Sequence, residues 1–215
     1  MKTFLIIGMG TFGHHLCREL ARQKCEIMIV DRHEERMADL LPYVTSAKIA
    51  DCTNPEALRS FDIPSFDTCF VCIGDNFQMS LEVTSLLKEL GAKRVFSKAE
   101  EDVQAKFLLR NGADAIVFPE QDMAERIAVR ESSERIFDFI PLSEEHAVYE
   151  ISTNRAWIGK TILELRFRPT YNLSILGTKK DGKVNMMPST DYVFREDEHL
   201  IVLGKLADVN RAINN

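Results

Sequence analysis

The stretch from Phe4 to Gly13 limits what this chain can fold into more than any other. Phe4-Leu5-Ile6-Ile7 is a short apolar run, and it enters Gly8-Met9-Gly10-Thr11-Phe12-Gly13 without a break. Such a run reads as a strand buried on both faces, the habit of a parallel sheet. The glycines read as G-x-G-x-x-G, the turn that leads a strand into a helix over a pyrophosphate. Gly8 permits the tight turn, Gly10 lets phosphates approach the backbone, and Gly13 lets the helix lie close on the strand. A helix expected over His14–Gln23 then aims its free N–H groups and positive dipole end at the phosphates.

A glycine turn alone is a weak signal, and here a second feature answers it. Glu26–Val30 reads as the next strand and ends on Asp31, about 20 residues after the glycines, where a ribose diol needs an acceptor. Arg32 follows at once. An arginine there could accept a 2′-phosphate, but with Asp31 present the free diol is the favoured reading.

The rest of the first part keeps the alternation going. Glu34–Leu41 has a helical pattern that Pro42 ends, and Ala47–Ala50 is a short third strand leading to Asp51-Cys52-Thr53. Asn54-Pro55-Glu56 opens a short helix. Asp67–Ile73 is a fourth strand, broken by Gly74. Phe77–Leu90 is a helix capped by Gly91, and Arg94–Ser97 a fifth strand ending on Lys98. Glu101–Arg110 is helical, Asp114–Phe118 a sixth strand, and Glu120 to about Phe139 a long amphipathic helix. Strands and helices that alternate over about 120 residues predict a Rossmann-like, doubly wound parallel sheet. Ligands in such sheets sit at the carboxyl ends of the strands. Gly8, Asp31, Asp51, Gly74, Lys98 and Glu120 all fall just past strand ends.

The pattern changes after Pro141. Ala147–Ile151, Asn172–Thr178, Val184–Met187 and Glu198–Gly204 read as strands, with Lys180-Asp181-Gly182-Lys183 as a hairpin turn. Lys160–Leu165 reads as a short helical piece and Leu206–Ile213 as a closing helix. The expected architecture is therefore an α/β domain over 1–140 and a small C-terminal α+β domain over 141–215.

Composition narrows the function. A 45% hydrophobic, 28% charged chain of 215 residues can bury a core, and a net charge of -6 argues against nucleic acid as a partner. The apolar runs are too short to span a bilayer, and the first strand begins almost at once, without a signal peptide. The expected location is cytoplasmic. The five cysteines are an odd count, which fits free thiols. Cys69 and Cys72 are formally C-x-x-C, but residues three apart on a strand face opposite ways, so neither a bridge nor a metal pair is expected. His14 and His15 have no second His or Cys at metal spacing.

GMGTFG, Val30-Asp31-Arg32, ADCTNPEAL at 50–58 and CIGDNFQMS at 72–80 occur in one order with SKAE at 97–100, NGAD at 111–114 and PEQDMAERIA at 119–128. Together they resemble the cytosolic regulatory subunits of Ktr and Trk bacterial potassium transporters. Those subunits carry an RCK (regulator of K+ conductance) N-lobe and a TrkA-C type C-lobe. The resemblance extends to the C-terminal Asp197–Gly204.

The resemblance implies a regulator and not an enzyme. It implies an N-lobe that binds ADP, ATP, AMP or NAD(H), a homodimer assembled into a ring, typically octameric, and an integral-membrane K+ transporter partner of the KtrB or TrkH kind. It also implies cyclic di-AMP as a ligand of the C-lobe in some members. By position, Gly8, Gly10, Thr11, Phe12 and Gly13 match the phosphate loop, and Asp31 and Arg32 the ribose side. Asp51, Cys52 and Thr53 match the adenine-side turn, and Ile73 and Gly74 the nucleotide-lining stretch. Lys98 matches a phosphate lysine, and Glu120 a carboxylate near the nucleotide that can hold Mg or Ca at the dimer contact. The long helix around 120–139 matches the segment that crosses between lobes and pairs subunits. Two positions depart from the pattern. Thr11 stands where ATP-binding relatives often carry arginine, and Ala124 where glycine is common. An NAD(P)-dependent oxidoreductase and a free-standing nucleotide sensor are the rival readings, since the fold alone excludes neither.

Overall fold

The computed structural model describes residues 1–214 and contains two compact units, Met1–Gln121 and Asp122–Asn215. The first alternates β1 (Thr3–Ile7), α1 (Thr11–Arg22), β2 (Glu26–Asp31), β3 (Ser46–Ile49), α2 (Pro55–Arg59), β4 (Thr68–Val71), α3 (Phe77–Glu89), β5 (Val95–Lys98), α4 (Asp102–Arg110) and β6 (Ala115–Val117). The strands are parallel, in the order β3-β2-β1-β4-β5-β6. This is the doubly wound order that places a ligand crevice where the winding reverses, between β1 and β4.

β1 explains its own apolar run. Leu5 and Ile7 join the core that holds Val83 and Leu87 of α3, while Ile6 joins the one that holds Cys17 of α1. A strand buried on both faces cannot alternate with polar residues. Cys69 and Cys72 likewise fall into those two different cores, as their spacing requires, and all five cysteines are free thiols.

The helix expected over Glu34–Leu41 is instead two 3-10 turns, Glu34–Arg36 and Ala38–Tyr43, with Pro42 inside the second. Met37 and Leu40 are buried and Leu41 is exposed, so the apolar spacing is that of three residues per turn.

The second unit is an antiparallel sheet in the order β10-β9-β11-β8-β7. Its strands are β7 (Ile136–Pro141), β8 (Ala147–Ser152), β9 (Ser174–Lys180), β10 (Lys183–Met186) and β11 (His199–Gly204). Its core gathers Tyr149 and Ile151 of β8, Leu200 and Val202 of β11, and the fully buried Trp157, whose indole N–H donates to the Tyr171 hydroxyl at 2.8 Å. Two helices close it, α6 (Phe167–Tyr171) and α7 (Leu206–Asn214). Asp181 and Gly182 both have positive φ, the requirement of the tight hairpin turn between β9 and β10.

The long helix expected from Glu120 to about Phe139 is not one helix. The helix α5 runs Pro119–Glu131, and Ile136–Pro141 is the edge strand β7 paired with β8. Ile136 and Phe139 are therefore core residues of the second unit, while Met123 and Ile127 stay exposed on α5. In place of the expected helical piece over Lys160–Leu165, Thr161 bridges to Val193 and residues 162–166 are turns, and the helix begins later, at Phe167. Met186 and Met187 are both exposed.

Candidate nucleotide-binding site

The carboxyl ends of β1, β2, β4 and β5 open onto one cleft of about 730 Å³, within the range of small-ligand sites. Gly8 turns the chain at φ +94, a conformation that disfavours any side chain, and its N–H donates to Val30 O at 2.9 Å. Gly13 is needed for a different reason: a Cβ there would stand 2.1 Å from Gly8 O. A Cβ on Gly10 would meet no protein atom within 4 Å, so the space beside it is left for something else. Gly10 is also the N-cap of α1 and no side chain caps the helix, which leaves first-turn N–H groups available to an anion.

The side of the cleft at the end of β2 is built on Asp31, which is 7% exposed. One carboxylate oxygen accepts the Met9 N–H at 2.7 Å and the other accepts the His33 N–H at 2.9 Å. The glycine loop and the β2 turn are thus tied to the same acid, and each oxygen keeps a second lone pair for a ligand hydroxyl. Arg32 also lines the cleft, but its guanidinium donates to Asp51 at 2.6 Å. That contact, with the Thr53 hydroxyl and N–H on the same oxygen, holds the Asp51 carboxyl down at about 2.

At the other end, Lys98 is nearly covered, its side chain 10% exposed. Its ammonium donates to Glu120 at 2.7 Å and stands 3.7 Å from Glu100. The lysine bond, opposed by a smaller effect of burial, holds the Glu120 carboxyl below its ordinary range. Gly74 makes room for this group, since a Cβ there would lie 2.9 Å from the Lys98 Nζ. Glu120 was expected to hold a divalent cation. Its carboxylate is engaged by the Lys98 ammonium, and among the described residues no three His, Cys, Asp or Glu side chains of this one chain gather at a point.

Of the residues singled out from the sequence, Gly8, Gly10, Thr11, Phe12, Asp31, Arg32, Cys52, Ile73, Gly74, Lys98 and Glu120 line this cleft. Gly13 packs under the loop, and Asp51 and Thr53 act on the site through Arg32. Sequence reading missed Arg36, Met79 and Glu100, which also line it. Glu100 carried a signal, lying two residues past Lys98 and so returning to the same side of an extended chain. Cys52 and Cys72 line the cleft as protonated thiols, each pushed up to about 12 by burial.

The TrkA-N domain family matches residues 4–119 and the TrkA-C domain family residues 146–215. The Ktr system potassium uptake protein C of Bacillus subtilis is 37% identical over 210 residues, 98% of this chain and 95% of the relative. This chain belongs to the TrkA/Ktr family of potassium uptake proteins. The Ktr system potassium uptake protein A of the same organism is 36% identical over 99% of this chain and 96% of its own length. Among solved structures, the RCK domain of GsuK superposes with a TM-score of 0.69 at 17% identity, covering all of this chain and 48% of that one. The GsuK channel bound to NAD superposes at 0.66, also at 17% identity, over 98% of this chain and 38% of that one. This chain therefore spans about half or less of those longer chains, and at such identity the likeness shows the RCK fold. In this TrkA/Ktr protein the family's N-terminal match ends at residue 119, beside Glu120 at the cleft's edge.

Proposed function

We propose that this protein is the nucleotide-binding regulatory subunit of a potassium uptake system, acting from the cytoplasmic side on an integral-membrane K+ transporter subunit. One observation carries the reading. A capless helix N-terminus, a buried carboxylate and a covered lysine share one cleft at the winding reversal of a TrkA-N fold. That set fits an adenine ribonucleotide, with the diol on Asp31, the phosphates on the α1 N-terminus and the distal phosphate near Lys98. ADP, AMP and NAD(H) suit the single lysine better than ATP does, because Glu100 and Glu120 already oppose added negative charge there.

The work asked of the ligand is a population shift. A nucleotide favours one arrangement of the assembled subunits by its differential affinity for that arrangement and by nothing more. No helix among the described residues is long and apolar enough to cross a membrane, which fits a subunit that reaches the membrane through a partner. The family's homodimer and ring supply the assembly in this reading, and the exposed Met123 and Ile127 of α5 are apolar surface that a second copy can cover. Turnover has no place in it.

The test is potassium uptake in cells lacking their own uptake systems, with this chain co-expressed with an integral-membrane subunit of a Ktr-type potassium transporter. The reading expects uptake to require this chain and to fall when Asp31 is replaced by Ala. Uptake independent of the chain, or steady nucleotide turnover at rates typical of enzymes, would contradict it.

A further inference from the structure

The ribose corner of the cleft holds an arginine that looks free in sequence and is not free in the structure. Arg32 lines the cleft directly after Asp31, the position from which a guanidinium can take a 2′-phosphate. Its Nη2 is instead 2.6 Å from the Asp51 carboxylate. Asp51, between the lining residues Ala50 and Cys52, is itself fixed, since the same oxygen accepts the Thr53 N–H at 3.0 Å and the Thr53 hydroxyl at 2.7 Å. Three donors on one carboxylate oxygen define where the guanidinium rests.

We propose that Asp51 sets the ligand class of this cleft. By holding the Arg32 guanidinium it withholds the cation a 2′-phosphate would need, and so reserves the site for adenine nucleotides with a free 2′-hydroxyl. Asp51 is a positioning residue in this role, acting through Arg32. The proposal rests on the nucleotide-binding reading above.

The charges at the corner agree with it. A 2′-phosphate arriving there meets the Asp31 carboxylate, buried and already fixed by two N–H donors. Drawing Arg32 away from Asp51 would satisfy the phosphate but leave Asp51 unpaired beside it, so the gain is offset by a new like-charge contact. Arg36, the other guanidinium lining this corner, is 3.8 Å from Asp31 and is partly spent on that acid. His33 faces Glu35 at 3.5 Å. With Asp51 held at about 2, the pair stays ionised at any pH used for binding.

The experiment compares AMP with adenosine 2′,5′-bisphosphate, which differ only by the 2′-phosphate, and NADH with NADPH, by calorimetry. The wild type is expected to favour the ligand without the 2′-phosphate by about tenfold or more. Asp51→Asn keeps an acceptor for Thr53 but drops the charge that holds Arg32, and is expected to narrow that ratio by about tenfold. Arg32→Ala should undo the gain in the Asp51→Asn background and move the ratio far less on its own, which is the coupling a double-mutant cycle reads. Equal affinity of the wild type for both members of a pair overturns the proposal. So does an unmoved ratio in Asp51→Asn, or an Arg32→Ala effect of the same size in both backgrounds. Should Asp51→Asn fail to fold, the wild-type ratio and a large effect of Arg32→Ala alone still decide against it. A wild type that binds none of these ligands overturns the nucleotide reading itself, a failure distinct from one in which AMP binds but the ratio stays put.

Discussion

The Lys98 ammonium and the Glu120 carboxylate meet at 2.7 Å at the edge of the cleft, one side chain nearly covered and the other largely exposed. Lys98 ends β5, and Glu120 lies in the first turn of α5, the helix that carries the chain into the second unit. In the proposed nucleotide reading, a distal phosphate and Glu120 compete for this one ammonium. Glu120→Gln should strengthen ADP by about three- to tenfold and AMP little, the modest size reflecting the exposure of the carboxylate. Lys98→Ala should weaken ADP by about tenfold or more, again sparing AMP. Calorimetric titration of both variants with both ligands checks this, and equal effects on AMP and ADP would place the distal phosphate elsewhere.

Asp31 anchors the glycine loop, and in the proposed reading it also accepts the ligand's ribose. Asp31→Ala removes the ribose acceptor and also the fixed partner of the Met9 and His33 N–H groups. All adenine ribonucleotides should weaken together by roughly ten- to a hundredfold, and the melting temperature of the ligand-free protein should fall. A 2′,3′-dideoxy nucleotide should lose most of its affinity for the wild type and lose less than the ribonucleotides on the substitution, keeping only the part of that loss that comes from the loop. Dideoxy binding as tight as ribose binding would remove Asp31 from the ligand.

Thr11 offers a distal phosphate one hydroxyl on a short stem, beside a rim that sets one ammonium against two carboxylates. The wild type should separate ATP from ADP poorly. Thr11→Arg should strengthen ATP selectively, by about tenfold, through a fork of donors suited to phosphate oxygens. A hundredfold wild-type preference for ATP, or an arginine that strengthens AMP and ATP alike, goes against this.

Much of this site is legible in the chain because the doubly wound fold puts function at fixed offsets. The ends of β1, β2 and β5 bring Gly8, Asp31 and Lys98 to one rim, and each could be located by finding a short apolar run and reading the next residue. What such reading cannot supply is pairing. Arg32 and Asp51 are 19 residues apart, and Lys98 and Glu120 are 22 apart. Each of the four looks like a free ligand group until the sheet sets its partner beside it.

The misread stretch, 120–139, has a specific cause. Ile136 and Phe139 are the buried residues of β7, and they are three apart because the register slips between Ile136 and Asp138. An extra residue turns the period of two into a spacing of three, which imitates a helix face. Ser132-Ser133, poor helix formers directly after α5, were the local sign that the helix had ended.

The thiols yield an alkaline prediction. Cys17 is pushed up to about 11 and Cys52, Cys69 and Cys72 to about 12, all chiefly by burial. Between pH 9 and 11 the unfolded chain releases these protons while the folded chain keeps them, so stability is complete below the unfolded thiol range and falls as pH rises. Each thiol contributes at most about 1.4 kcal/mol per pH unit to that loss. Denaturant midpoints across this range should decline. Alkylation of the native protein at pH 8 should mark Cys25 first, the remaining four reacting only on unfolding. Rapid labelling of Cys52 or Cys72 in the native state contradicts their burial.

The most direct test of the central claim uses Gly10. Its φ of -73 suits alanine, and an added Cβ meets no protein atom within 4 Å, so Gly10→Ala should fold as stably as the wild type. The same Cβ would stand where the proposed reading brings the phosphates to the backbone. Titration with ADP and NADH, alongside thermal melts, should show the wild type binding at least one of them and Gly10→Ala losing about tenfold or more in affinity at an unchanged melting temperature. A wild type that binds neither nucleotide, or a stable Gly10→Ala that binds as tightly as the wild type, would contradict the account.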